Sequence, residues 1–181
     1  CKQFDLEAEI EGVPSFGSWE LNCTYKPFFI LKKLEELKKP ILWVDADAVF
    51  VREPEILEEF EADFVVRVNH ELPNTDPSKV LSGTIYVNYT PKGMEVLFAW
   101  AQECRRILSD PHRTEEFWEQ IALRNILNTM GADIRLLPPA YIKIFDLPWN
   151  EDHNSTPVIV HYQASRRLKN PVNLAFKSEA R

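Results

Sequence analysis

The sequence predicts an α/β fold, a mixed central sheet flanked by helices within a single domain over residues 1–181, and three observations lead there. Short apolar runs alternate with longer stretches of helical spacing along most of the chain, an order that builds a sheet with helices laid over it. The 181 residues, 45% of them hydrophobic, suffice for one substantial core and would be cramped as two. Internal repeats and low-complexity tracts, which would signal a solenoid or a linker, do not occur in the chain.

Taken in order, apolar and polar residues alternate from Phe4 to Ile10, the period of an early or edge strand. A loop with Pro14 and Gly17 follows. Pro27 suits a first helical turn, and Phe28, Leu31, Leu34 and Leu37 then recur at helical spacing, which predicts a helix ending near Lys39, before Pro40. Ile41 to Val44 reads as a short, fully buried strand. A short helix is expected from Pro54 to about Phe60, a strand over Phe64 to Val68, and a loop over His70 to Lys79. Thr84 to Tyr89 is a strand by its β-forming residues. Thr90-Pro91 caps a long amphipathic helix to about Leu108, which Ser109-Asp110-Pro111 breaks. Thr114, Phe117 and Trp118 open a further helix that Gly131 is placed to end. Ile134 to Leu137, Tyr141 to Phe145 and Val158 to Val160 complete the strands, ahead of a basic tail.

Charge and composition narrow the function. With 28 acidic against 21 basic residues the formal charge is -7, against a broad nucleic-acid-binding face. No apolar run is long enough to form a transmembrane segment. The domain therefore reads as soluble, with a cytoplasmic location favoured over others and the compartment left open. The chain opens on Cys1 rather than Met, so a preceding leader or anchor is also left open. Cys1, Cys23 and Cys104 are too scattered for a disulfide framework or a zinc cluster. Sequons at Asn22, Asn88 and Asn154 carry little weight.

The chemistry concentrates after the fourth apolar residue of the 41–44 strand, where Asp45-Ala46-Asp47 begins. Two carboxylates at that spacing converge on one cation if the chain turns, and hard oxygen ligands suit Mg²⁺ or Mn²⁺. Their alternative role is to cap a turn or solvate a strand end. Ligands of open α/β sheets gather beyond the carboxyl ends of strands. His161 ends a strand as Asp45 and Asp47 follow one, so the two distant stretches are expected to meet, and the imidazole favours tolerance of Mn²⁺. In Ser165 to Lys169, Arg166 is suited to bidentate phosphate contact and Lys169 to a point charge, against the alternative of an exposed basic terminus. Trp19 and Trp149 are either sugar-stacking or packing residues, and His70, His112 and His153 read as loop histidines.

Ile41-Leu42-Trp43-Val44-Asp45-Ala46-Asp47-Ala48-Val49-Phe50 resembles the Asp-x-Asp strand of glycosyltransferases with the GT-A fold. Other pieces follow in the same order. The segment Gly17 to Asn22 with Lys26-Pro27-Phe28 is similar to the stretch before that strand in nucleotide-diphospho-sugar transferase domains. Ser82-Gly83-Thr84-Ile85-Tyr86 resembles their small-residue strand near the donor sugar, and Glu119-Gln120 falls where relatives carry Asp-Gln. His161 to Arg166 looks like their closing segment, whose His completes the metal site. The resemblance covers residues 15–170 and implies a GT-A-like, Rossmann-like sheet with a shortened N-terminal part, since only about ten residues precede the loop where relatives place a base-binding strand and helix.

By that resemblance the metal ligands are Asp45, Asp47 and His161, holding Mn²⁺ or Mg²⁺, and the catalytic positions are Glu119 and Gln120. Donor contacts fall to Lys26, Ala46, Ser82 and Gly83, joined by Ser165, Arg166 and Lys169 of the basic segment. The implied reaction moves a sugar from a nucleotide-diphosphate donor to the hydroxyl of a sugar, lipid or protein acceptor, with the anomeric outcome unresolved. Two alternatives compete. The same strand resembles the first motif of haloacid-dehalogenase-like phosphatases, with Asp45 as nucleophile and Asp47 as acid/base, although that motif normally opens its domain. The short N-terminus also fits a non-catalytic module that binds nucleotide sugars or proteins.

Overall fold

A computed structural model describes residues 1–55, 60–146, 156–164 and 166–167. Two of its helices start where a side chain satisfies one of the first free amides. Ser18 accepts from Leu21 N at 3.2 Å to open α1 (Trp19–Thr24). Helix α2 (Lys26–Leu37) follows through Tyr25 with Pro27 in its first turn, and Lys38, at φ 54°, ends it in the left-handed region. Thr90 caps α3 (Pro91–Leu108) by accepting from Gly93 N at 2.9 Å, and its hydroxyl donates to Asp63 at 2.6 Å. A Cβ on Gly93 would lie 2.5 Å from the Asn88 carbonyl oxygen, so only glycine lets α3 leave the sheet here. Helix α4 spans Glu119–Leu127.

The strands are β1 (Ile41–Val44), β2 (Ala48–Phe50), β3 (Phe64–Val68), β4 (Val80–Val87), β5 (Ile134–Leu136), β6 (Lys143–Ile144) and β7 (Ile159–His161). They form a four-stranded sheet ordered β1-β4-β3-β5 and a three-stranded sheet ordered β2-β7-β6. Both sheets are mixed: β1 and β3 run antiparallel to β4 and β5 runs parallel to β3, while β7 is antiparallel to β2 and parallel to β6. Alternation along β3 and β4 assigns their side chains to two cores. Phe64, Val66, Ile85 and Val87 pack with Ile30, Leu34, Leu97, Trp100 and Leu123 of the helices. Val65, Leu81 and Tyr86 pack with Tyr141, Ile144 and Ile159 on the side of the smaller sheet. Helices thus cover one face of the larger sheet and the smaller sheet the other, and the Asp-x-Asp turn links β1 of one to β2 of the other.

Several expected elements change. The alternation from Phe4 to Ile10 is not a strand: a 3-10 turn spans Lys2–Phe4, and the chain then runs without sheet pairing, Ile10 92% exposed. The glutamates in and just after it instead face the lysines of α2 and the turn after it, with Glu7 on Lys39 at 2.6 Å and Glu11 on Lys33 at 3.0 Å. The polar half of the alternation meets charges, and no partner strand receives the apolar half. Strand β1 is half-buried rather than fully buried because it is the sheet edge. Residues 114–118 stay outside α4, since Glu20 accepts from Phe117 N at 2.7 Å while holding the Arg113 guanidinium with both oxygens at 2.8 Å. Strand β4 begins four residues earlier than expected, at Val80, and Pro139–Tyr141 is a 3-10 turn ahead of β6. The helix expected from Pro54 falls largely on residues 56–59, outside the described residues, as do Trp149, His153 and Asn154.

Candidate metal centre

Asp45 directly follows β1, and its amide continues the β1–β4 pairing by donating to the Gly83 carbonyl at 2.8 Å. A turn closes as Ala48 N donates to Asp45 O at 3.0 Å, leaving Ala46 exposed at its tip. The turn brings Asp47 beside the end of β7, where Tyr162 N donates to Asp47 O at 3.0 Å and Ala164 N to Asp47 Oδ2 at 2.7 Å. His161, the last residue of β7, is buried. One ligating atom from each of Asp45, Asp47 and His161 lies within 4.8 Å of the other two. The sequence expectation that two distant stretches meet is borne out in this geometry.

Gly83 makes the meeting possible. A Cβ there would stand 2.9 Å from His161 Cε1, 3.0 Å from Nδ1 and 3.5 Å from Asp45 Oδ2, so the protein's own imidazole occupies the space a side chain would need. The other ring nitrogen, Nε2, shares a hydrogen bond of 2.8 Å with Thr84 Oγ1. Burial pushes the imidazole below its ordinary range, against the pull of Asp45 and Asp47 and with the help of Lys26.

A buried network backs Asp45. The Lys26 ammonium lies 2.9 Å from Asp45 Oδ1, 2.7 Å from Glu119 Oε1, and 3.2 Å and 3.4 Å from the Ser82 carbonyl and hydroxyl. Ser82 Oγ donates to the same Glu119 oxygen at 2.7 Å, and Trp43 Nε1 donates to Asp45 Oδ1 at 2.7 Å. Burial works against the charge of Lys26, but the Asp45 and Glu119 carboxylates outweigh it and hold the ammonium well above the ordinary lysine range. Three carboxylates, one ammonium and a neutral imidazole leave two negative charges in the cluster. The side-chain hydrogen bonds of the three residues engage Asp45 Oδ1, Asp47 Oδ2 and His161 Nε2.

Lys26, Ser82, Gly83 and Glu119 are therefore gathered around Asp45. Gln120 is turned elsewhere, donating to the Pro77 carbonyl at 2.7 Å and tying the 70–79 loop to α4. Arg166 is exposed and pairs with Asp146 at 2.5 Å. Ser165 and Lys169 lie outside the described residues. Trp43, Thr84 and Ala164 lie within the resembling segments, but sequence reading gave them no role of their own. Their signal was proximity alone: each lies within three residues of a residue already singled out, but a packing tryptophan, a strand threonine and a backbone amide carry no chemical signature.

The chain matches the nucleotide-diphospho-sugar transferase family over residues 23–172 and belongs to it. It is a glycosyltransferase with a GT-A-like fold. Among solved structures it is similar to a glycosyltransferase involved in the glycosylation of the major capsid of PBCV-1, at 13% identity and a TM-score of 0.62, covering 93% of this chain and 81% of that one. Mouse xyloside xylosyltransferase 1 in its apo form is also similar, at 15% identity and a TM-score of 0.51 over 78% of this chain and 63% of that one. No curated protein sequence matches the chain. Among the described residues, no helix is long and apolar enough to cross a membrane.

Proposed function

We propose that the protein transfers a sugar from a nucleotide-diphosphate donor to an acceptor hydroxyl with the aid of a divalent cation held by Asp45, Asp47 and His161. The convergence of those three side chains, with ligating atoms within 4.8 Å of one another, carries the reading. Two carboxylates and an imidazole suit Mn²⁺ or Mg²⁺, and the cluster's two negative charges match a divalent ion. An ion held by these residues would neutralise the diphosphate leaving group. With Nδ1 as the ligand, Nε2 would carry the ring proton and donate it to Thr84 Oγ1, 2.8 Å away, which orients the ring. The exposed turn at Ala46 leaves backbone open to the donor, and Arg166 supplies a guanidinium for the diphosphate once released from Asp146.

The test is a thermal-shift panel of nucleotide sugars with and without Mn²⁺, because a ligand that binds the folded state raises its stability. A rise in melting temperature that needs both Mn²⁺ and a nucleotide sugar is expected. Stabilisation by nucleotide sugars that ignores Mn²⁺ and chelator alike would remove the metal from the proposal. Release of nucleoside diphosphate from the stabilising donor then separates an enzyme from a binding module.

A further inference from the structure

We infer that Glu119 serves the metal site without touching metal or substrate, by cancelling the charge of Lys26 so that Lys26 and Trp43 can fix Asp45 in its ligating orientation. The inference rests on the metal-dependent reading above and assigns positioning roles within that same site. Sequence resemblance had pointed to Glu119 as catalytic and Lys26 as a donor contact. Their geometry points inward instead.

An ammonium has three protons to donate. Those of Lys26 are taken up by Asp45 Oδ1, Glu119 Oε1 and the two oxygens of Ser82, in a setting where the side chain is 9% exposed. Nothing is left for a donor sugar. Glu119 is equally committed, since Oε1 receives both Lys26 and Ser82, its carbonyl accepts from Trp100 Nε1 at 2.8 Å, and the residue is 6% exposed. On Asp45, Lys26 and Trp43 both occupy Oδ1, so the carboxylate is turned with Oδ2 toward Gly83 and His161. This is an outer shell that sets the direction of a ligand.

The electrostatic problem is that a cation this close to a ligand repels the ion the ligand is meant to hold. Where the ammonium is buried, the effective dielectric is lower than in water and that repulsion is correspondingly larger. Glu119, 2.7 Å from the ammonium, removes the net charge while leaving the ammonium's hydrogen bond to Asp45 in place. Glutamine at 119 would keep the shape and the hydrogen-bonding capacity but leave Lys26 uncancelled.

The experiment titrates Mn²⁺ alone into the full chain and reads free ion by electron paramagnetic resonance, with near-ultraviolet circular dichroism confirming the fold of each variant. Glu119→Gln is expected to weaken Mn²⁺ by about 10–100-fold, the usual cost of an outer-shell substitution. Lys26→Met combined with Glu119→Gln should recover part of that loss, because the uncancelled charge is gone. A direct ligand or a substrate base would show no such recovery. Trp43→Phe, which removes only the indole N–H on Asp45 Oδ1, should cost a few-fold and serves if Glu119→Gln does not fold. Wild-type affinity in Glu119→Gln, a double variant no tighter than the single one, or wild-type affinity in Trp43→Phe overturns the inference and leaves the metal proposal standing. A wild-type chain that takes up no Mn²⁺ overturns both.

Discussion

Asp45 and Asp47 stand two residues apart on one turn and offer the same carboxylate, yet the protein holds them by different means. Asp45 is fixed by side chains from β1 and α2, with Glu119 of α4 behind them, in an ion-pair network that reaches the helical core. Among the described residues, Asp47 is fixed by main-chain amides just beyond β7. The first carboxylate is thus tied into the buried ion-pair network and the second is not. Equivalent roles toward a cation do not imply equivalent roles in the fold.

Replacing each aspartate is the strongest way to break this contrast. Both Asp45→Ala and Asp47→Ala should lose Mn²⁺-dependent binding of a nucleoside diphosphate, by about 100-fold or more for loss of a ligand, as measured by calorimetry. Their stabilities should part. Asp47→Ala loses one hydrogen bond and should cost about 1 kcal/mol in denaturant unfolding, whereas Asp45→Ala leaves a buried ammonium short of a partner and should cost up to about 3 kcal/mol. Equal costs would erase the distinction.

Gly83→Ala sharpens it from the side where the two regions meet. A methyl group 2.9 Å from His161 Cε1 must displace the ring, so Mn²⁺ affinity should fall by about tenfold, with a stability cost of about 1–3 kcal/mol typical of overpacking. Unchanged affinity would mean the imidazole is not a ligand.

Acidity offers a gentler probe. Because burial lowers the pKa of His161 in the fold, the folded state binds fewer protons near the ordinary imidazole value of about 6.5 than the unfolded state does. Its contribution is therefore complete above about 6.5 and declines as pH falls toward the lower folded value. Stability measured from pH 7.5 to 5.5 should drop more in wild type than in His161→Gln. A steeper fall in the variant would reverse the sign.

The smallest effect is expected at Arg166. Arg166→Ala should weaken nucleoside diphosphates more than monophosphates, on the order of a few-fold at fixed salt, because the guanidinium is exposed and screened. Equal losses for the two ligands would assign it to a general electrostatic surface.

Much of this was legible in the chain. Pro27, Thr90-Pro91 and the apolar run before Asp45 placed α2, α3 and β1, because caps and periodicity act locally. The convergence of Asp45, Asp47 and His161 was legible as a shared position at strand ends. What stayed hidden depends on partners far along the chain. Lys26 reads as a donor contact until Glu119, 93 residues later, is known to face it. Glu20 likewise stops α4 from beginning at Thr114 only because folding brings it to Arg113 and Phe117. The two sheets could not be separated from strand count, since the Asp-x-Asp turn that divides them looks like any strand end.

The segment ahead of α1 has a consequence of a different kind. It adheres to α2 and the turn beyond through Glu7, Glu9 and Glu11 facing Lys39, Lys33 and Lys32, pairs that are mostly open to solvent. Contacts of this type weaken as added ions shorten the Debye length from about 10 Å at 0.1 M to about 3 Å at 1 M, while the apolar cores are untouched by that screening. The attachment of this strip is therefore set by the medium more than by the fold, and amide exchange there should quicken with salt while β3 and β4 keep their protection.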